Sequence, residues 1–172
     1  MIEHELLFLG LLQGGPKHGY EIKRHIQEEL SAYIGLNIKS IYYPLKKMEE
    51  GGLIEKEVGR QGLWPEKYVY KITPRGQKKF DELIAESFLS LERPFFRIDL
   101  SLYFLAYIDK AMARRRLRAR IGLLKKIRKQ LALLNDQAQK SSKNLALILQ
   151  HDLDMVDAEI QSFQRVINQL EI

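Results

Sequence analysis

Apolar residues recur every three or four positions through the N-terminal part of the chain, the spacing of amphipathic helices. The first such segment spans residues 6–12 and ends at the helix-breaking residues Gly14, Gly15 and Pro16. A second apolar series, with a spacing of four, predicts another helix over residues 20–30.

A third helix is predicted over residues 38–50, ending at Gly51-Gly52. Asn37 precedes it and is predicted to cap it, because its side-chain oxygen can accept from free backbone N–H groups. Pro44 lies inside this helix, where the missing backbone donor predicts a slight bend. Three apolar residues form the predicted buried face: Ile41, Leu45 and Met48.

Alternating residues then predict a β-hairpin over 53–60 and 68–72, with a projecting loop between the strands. Thr73-Pro74 is a strong helix start, with threonine as the cap and proline at the first helical position. A stripe follows up to Pro94: Phe80, Leu83, Ile84, Ser87, Phe88 and Leu91. Three helices, two strands and a helix are the order of a winged helix-turn-helix, which we assign to residues 1–92.

No strand pattern appears in the remainder of the chain, so the fold class is mainly α. A short aromatic-rich helix is predicted over 95–108, followed by long helices over 111–140 and 144–170. In the last helix, successive apolar residues are separated alternately by four and by three positions, which is the heptad pattern of helices that pack lengthwise. We therefore assign residues 93–172 to a coiled-coil-like dimerisation domain.

A pair of long helices with two apolar stripes predicts a homodimer, in which the stripes of two chains bury each other. An antiparallel hairpin within one chain is the alternative. The predicted interface is Leu117, Ile121, Leu124, Leu131, Leu149, Leu153, Val156, Ile160, Phe163, Ile167 and Leu170.

Charge separates the two halves of the 172-residue chain, whose formal net charge is +6. Residues 1–92 hold 13 basic and 14 acidic residues, whereas residues 110–135 hold ten basic residues and no acidic one. Such a basic segment suits a polyanionic partner such as nucleic acid or a lipid surface. A solvated helix face, including the cluster between Arg114 and Arg120, is the simpler interpretation.

Cysteine is absent, which excludes disulfides, thiolate zinc sites and cysteine catalysis. The four histidines lack metal-ligand spacing, and we find no phosphate-binding glycine loop or nucleophile elbow. We therefore expect neither an enzyme nor a cofactor. The longest apolar run, residues 100–108, is too short to span a membrane, and no basic signal segment opens the chain. A cytoplasmic protein is expected.

Three groups of residues resemble the PadR family of transcriptional regulators. They are residues 9–12 (LGLL) with 15–22 (GPKHGYEI), residues 40–49 (SIYYPLKKME) with 52–54 (GLI), and residues 67–76 (KYVYKITPRG). The resemblance implies a dimeric DNA-binding repressor, often relieved by a small aromatic or hydrophobic effector. Tyr43-Pro44 and Arg75 depart from the family pattern at the start of the third helix and of the fourth.

A recognition helix puts its outward residues into the major groove. Lys39 and Ser40 are predicted to approach base edges, whereas Tyr42, Lys46 and Lys47 are better suited to phosphates. Tyr43 is assigned either to DNA or to the core. The other candidates flank this helix: Lys17 and His18 in the preceding turn, with His18 favoured as a structural residue; Asn37 as the cap; and Arg60, Gln61, Trp64 and Lys67 in the wing. Trp64 is either a wing-tip contact or a clamp on the hairpin.

An effector pocket is predicted where aromatic residues converge with the dimer seam, with two arginines placed to receive a carboxylate. Its candidate residues are Phe88, Arg93, Phe95, Phe96, Arg97, Tyr103, Phe104 and Tyr107. Plain core packing of the same aromatic stripe is the alternative. A second functional hypothesis is a winged helix used for protein contacts, with the long helices binding a protein partner.

Overall fold

A computed structural model of the chain describes residues 2–30, 38, 40–59, 67–91 and 96–170. The chain divides into two compact units, Met1–Glu92 and Arg93–Ile172. Most of the described residues are helical, which confirms the predicted mainly-α class with a winged-helix N-terminal unit. None of the helices in the described part is long and apolar enough to cross a membrane.

The first unit follows the order of helices and strands of a winged helix. Its elements are α1 (Ile2–Leu12), β1 (Lys17–His18), α2 (Gly19–Arg24) with a π-helical continuation (His25–Leu30), α3 (Tyr42–Glu50), β2 (Ile54–Gly59), β3 (Lys67–Ile72) and α4 (Pro74–Leu89).

The sheet of this unit has three strands instead of the predicted two. Its order is β1-β3-β2, with both pairs antiparallel. In the extra strand, Lys17 pairs with Tyr70 and His18 pairs with Val69. Two residues show no alternation, so the sequence pattern could not reveal β1; it exists because β3 presents a free edge beside it.

Helix α3 begins at Tyr42, four residues later than predicted. Ile41 occupies the capping position, and the predicted cap Asn37 lies outside the described residues. Pro44 is therefore in the first turn, where a backbone N–H has no intrahelical acceptor to lose. The helical hydrogen bonding starts at the next residue, where Leu45 N donates to Ile41 O at 3.2 Å. Pro44 therefore removes no helical hydrogen bond, and the reason for expecting a bend does not apply.

The predicted glycine end of α3 is confirmed. Gly52 adopts a φ of 67°, the left-handed conformation that closes a helix. The N–H groups of Gly52 and Leu53 donate to the carbonyls of Glu49 and Met48, each at 2.9 Å. The chain thereby turns directly from α3 into β2.

Thr73 ties this turn to the start of α4. Its hydroxyl donates to Gly52 O at 2.8 Å and accepts from Gly76 N at 3.0 Å, so it is the predicted helix cap and a cross-link at once. Its backbone N–H donates to Leu53 O at 3.1 Å. Gly76 packs so closely against this turn that a Cβ there would overlap the carbonyl oxygen of Leu53.

The core of the first unit gathers apolar residues from α1, α2, α3, α4 and the sheet. Its fully buried members are Phe8, Leu9, Leu12, Ile22, Ile26, Ile41, Leu45, Met48, Ile54, Tyr70 and Leu83. The predicted stripe on α4 is buried only in its first half, because Phe88 is 82% exposed and Leu91, beyond the helix end, is 98% exposed.

The second unit is built on an antiparallel helical hairpin. Its elements are α5 (Arg97–Tyr103), a 3-10 turn (Leu105–Tyr107), α6 (Lys110–Ser141) and α7 (Lys143–Gln169). Asp109 caps α6 by accepting from Met112 N at 2.7 Å, and Ser142 caps α7 by accepting from Leu145 N at 3.4 Å. A single residue therefore separates the two long helices.

The predicted dimer interface is largely the core of this hairpin. Seven of its eleven residues are buried within one chain: Leu117, Ile121, Leu124, Leu149, Leu153, Phe163 and Ile167. The other four, Leu131, Val156, Ile160 and Leu170, are partly buried. For the seven buried residues the assignment to an interface between chains is wrong, because α6 and α7 of one chain already bury them. The assignment of the four partly buried residues stays a prediction.

Part of the basic segment of α6 holds the hairpin together. Arg120 Nε donates to Glu159 Oε1 at 3.1 Å, and Arg128 binds both carboxylate oxygens of Asp157, at 2.6 and 3.0 Å. Arg114 donates to the backbone carbonyl of Leu170 at 3.0 Å. Three of the arginines of the predicted basic face therefore have partners within the hairpin.

We predict opposite effects for two glycine-to-alanine substitutions. Gly76→Ala should destabilise the first unit by about 3 kcal/mol or more, because the new methyl group meets the Leu53 carbonyl. Gly122→Ala, in the middle of α6 with nothing within 4 Å of its Cβ position, should stabilise by up to about 1 kcal/mol. Urea unfolding followed by circular dichroism measures both changes. Equal stability of the Gly76→Ala protein would contradict the close approach.

We also predict that the Arg128–Asp157 pair contributes stability only above strongly acidic pH. The hydrogen bond from Arg128 holds the pKa of the Asp157 carboxyl below its ordinary value. A lowered folded-state pKa gives stability that is complete above the unfolded value, about 3.9, and is lost as the pH falls through the folded one. Wild-type protein should therefore melt above Asp157→Asn at pH 7, and the difference should vanish in strong acid. A difference in melting temperature that persists there would contradict the prediction; Asp136→Asn is the matched control.

Candidate nucleic-acid interface

Helix α3 divides cleanly into a buried and an exposed face. Leu45 and Met48 are in the core, whereas Tyr42 and Tyr43 are 66% and 63% exposed. The remaining candidates on and before the helix, Ser40, Lys46 and Lys47, are also exposed. Core packing of Tyr43, which the sequence left open, is therefore excluded, and α3 presents two phenols and two ammonium groups to solvent.

The two lysines of α3 have different neighbours. The Lys47 ammonium lies 5.1 Å from the ring centroid of Tyr43, and its hydrogen bond to the tyrosine hydroxyl oxygen raises the lysine pKa. Lys46 Nζ lies 3.8 Å from a carboxylate oxygen of Glu50, with both side chains largely exposed. Because such a surface pair contributes little free energy, Lys46 can exchange this partner for a phosphate at small cost.

The start of α2 lies beside the start of α3. A Cβ on Gly19 would come within 3.6 Å of the Tyr70 ring and 4.0 Å of the Tyr42 ring. Immediately before it, His18 N donates to the Glu21 carboxylate at 2.7 Å, and the imidazole of His18 stacks on Tyr20. The predicted turn residues Lys17 and His18 are thus the strand β1, next to the helix starts.

The strands of the wing add a pair that the sequence analysis missed. Lys56 Nζ lies 3.7 Å from the centroid of the Tyr68 ring. The antiparallel register places Lys56 opposite Tyr70, so Tyr68 is its diagonal neighbour on the same face. Alternation within each strand did not say which faces coincide; the register of the two strands brings these residues together.

Several predicted DNA-binding residues lie outside the described residues: Asn37, Lys39, Arg60, Gln61 and Trp64. Their roles remain predictions. Lys67 is described through its backbone, which pairs with Gly59 at the outer end of the two wing strands. The described part of the candidate interface, which we call the α3 face, consists of Lys17, His18, Ser40, Tyr42, Tyr43, Lys46 and Lys47.

The residues of the predicted effector pocket are distributed over both units, and the pocket at the dimer seam stays a prediction. In the second unit, a cavity of about 210 Å³ lies between α5 and α7, and Phe96 is the one predicted residue that lines it. Arg97 is exposed, as are Tyr103 (80%), Phe104 (50%) and Tyr107 (84%), because α5 turns Ile98 and Leu102 toward the hairpin instead. Phe88 is exposed on α4 of the other unit, and Arg93 and Phe95 are outside the described residues.

Comparison with known proteins identifies the fold of the whole chain. Bacillus subtilis PadR in complex with operator DNA is 21% identical, with a TM-score of 0.74, and the match covers 96% of this chain and 98% of that one. The same protein with p-coumaric acid gives 19% and 0.76, over 98% and 95%. The PadR-like regulator BC1756 of Bacillus cereus gives 21% and 0.65, over 98% of both chains.

Sequence comparison adds the family. No curated protein matches the chain. Residues 8–82, which contain β1, α2, α3, the wing strands and the junction at Thr73, match the model of the transcriptional regulator PadR-like family. The predicted resemblance to the PadR family of transcriptional regulators is thereby confirmed over these residues.

Proposed function

We propose that this protein is a sequence-specific DNA-binding regulator that contacts duplex DNA through the α3 face. The observation that carries the proposal is the exposure of Tyr42, Tyr43, Lys46 and Lys47 along one side of α3, with the apolar side fixed in the core. The operator complex of the similar B. subtilis protein supports the same partner. The regulator is proposed to repress transcription in the cytoplasm, without an enzymatic activity.

The chemistry of the α3 face divides its residues by role. Ser40, just before the helix, has a small hydroxyl that suits a base edge, and the predicted neighbour Lys39 would donate to guanine. Tyr42 and Lys46 carry donors on longer side chains, which suit phosphate oxygens. The wing cations, Lys56 in the strand and the predicted Arg60 and Lys67, extend the contact along the backbone.

We further propose that the protein acts as a homodimer through one side of the hairpin. Exposed Leu123, Ile127 and Leu134 repeat by four and seven along α6, which places them on one side. On α7, the half-exposed pair Ile148 and Met155 repeats by seven.

The Arg120–Glu159 pair shows that these two rows border the same side of the hairpin. Arg120 stands one heptad before Ile127, and Glu159 stands one turn after Met155. The two rows together form one apolar strip that crosses both helices. The partly buried residues of the predicted interface leave this strip exposed to solvent. A second copy of this strip is its proposed occupant, which would link two α3 faces for a two-part operator.

The interaction-module hypothesis receives less support. A helix that binds protein through the α3 face would present apolar anchors at its centre. The centre of the α3 face carries lysines and tyrosine hydroxyls instead.

We predict that Lys46→Ala weakens binding to every duplex by a similar factor. Removing one phosphate contact should also reduce the slope of log affinity against log salt by about 1. Gel-shift titrations at several salt concentrations, using an operator selected from random duplexes and a scrambled duplex, measure both effects. Lys78→Ala, a lysine on α4 that is likewise paired at i,i+4, is the matched control and should change neither. A Lys46→Ala protein that loses affinity for the operator alone would contradict the phosphate role.

We predict that Ile127→Asp yields folded monomers that lose most of their operator affinity. The charge enters the proposed strip at a residue that is 46% exposed, so the hairpin core stays intact. Leu147→Asp, at a 70% exposed position of α7 outside the two rows, should remain dimeric. Light scattering gives the mass and circular dichroism the helicity. A dimeric Ile127→Asp protein would place the interface elsewhere.

A further inference from the structure

The cavity between α5 and α7 has the size and the walls of a small-molecule site. Its apolar lining comes from Phe96, Ile98 and Leu102 on one side and from Met155 and Phe163 on the other. An apolar cavity of about 150 Å³ is known to hold benzene. A volume of about 210 Å³ therefore accommodates one ring with a short side chain.

The polar side chains of this cavity are two carboxylates and one hydroxyl. Asp99, in the first turn of α5, and Glu159 and Ser162 of α7 line it, and no basic side chain among the described residues does so. A carboxylate ligand would meet two carboxylates here, whereas an ammonium group would gain charge-assisted hydrogen bonds.

Arg120 contacts two residues of this lining, and its guanidinium is already engaged. It donates through Nε to Glu159 Oε1 and lies 5.0 Å from the centroid of the Phe163 ring, outside the lining. It leaves Glu159 Oε2 unused, and it balances one of the two negative charges. The lining together with Arg120 therefore keeps one net negative charge.

We propose that this cavity binds a small amphiphilic amine in its protonated form, with an apolar ring or chain between α5 and α7 and its ammonium group at Asp99. The ligand class is thus opposite in charge to the aromatic acid that the sequence analysis anticipated. That such a ligand would modulate DNA binding rests on the proposed function; its binding to the cavity does not.

The test compares two ligands of similar size and opposite charge. Full-length protein without DNA is titrated at pH 7 with 2-phenylethylamine and with 3-phenylpropanoate, and binding is followed by calorimetry and saturation-transfer NMR. The amine is expected to bind saturably, about tenfold or more tightly than the acid, as one charge-assisted hydrogen bond predicts. Equal or tighter binding of the acid, or no saturable binding of the amine, would overturn the proposal.

Three variants locate the binding site. Asp99→Asn should weaken the amine about tenfold and leave the acid unchanged. Asp136→Asn removes the same charge from an exposed position of α6 outside the cavity and should change neither ligand. Ala158→Phe, which fills the cavity from an exposed position of α7, should abolish binding of the amine even if Asp99→Asn fails to fold. Undiminished amine binding to Ala158→Phe would place the ligand elsewhere and overturn the proposal.

Because these titrations contain no DNA, their result is independent of the DNA-binding proposal. A protein that binds the amine yet fails every gel shift would retain the ligand class and lose the proposed function. A protein that binds operator DNA but not the amine would show the reverse.

Discussion

The close approach of Gly76 to the Leu53 carbonyl is the constraint on which the first unit depends. Only a residue without a side chain lets the start of α4 lie against the turn that leaves α3. Thr73 then satisfies the backbone on both sides, donating to Gly52 O and accepting from Gly76 N. The end of α3 and the root of the wing, where Ile54 pairs with Ile72, are fixed by the same few atoms. The α3 face is therefore positioned by hydrogen bonds that lie behind it, and its own side chains remain free for a partner.

The sequence predicted those helix ends that are determined by the residues at the ends themselves. Gly52 ends α3 because it alone adopts the left-handed conformation there without strain, and Thr73 caps α4 through its own hydroxyl. The start of α3 and the strand β1 were missed for the opposite reason. A proline is as compatible with a first turn as with a bend, so Pro44 did not locate the helix start. A two-residue strand depends on β3, a distant segment that lies beside it only in the folded chain.

Heptad spacing correctly predicted which apolar residues of the long helices are buried. It did not determine whether a helix of the same chain or of a second chain buries them. Leu117 and Phe163 are buried as predicted, but by the other helix of the same chain. A period of three and four is the same for an intramolecular hairpin and for two chains, since both need one continuous apolar side. The apolar residues that distinguish a hairpin from a pairing of two chains lie outside the heptad positions. Ile127 and Met155 are examples, because they stay exposed after the hairpin has closed. Candidates for the α3 face were predictable for a related reason: once the core residues are known, the others on a short helix face solvent.

The overall composition of the second unit does not reveal how its charged residues are paired. The excess of arginine over residues 110–135 suggests a surface for polyanions, yet Arg120 and Arg128 each bind a carboxylate of α7. Pairing on one side of the hairpin brings Glu159 to the cavity wall, where Asp99 of α5 supplies a second carboxylate. A chain that is basic overall thus places two carboxylates, and no basic side chain of its described residues, in the lining of this cavity. Net charge influences which macromolecule approaches the protein, whereas ligand charge is selected by the few groups that line a cavity after the helices have packed.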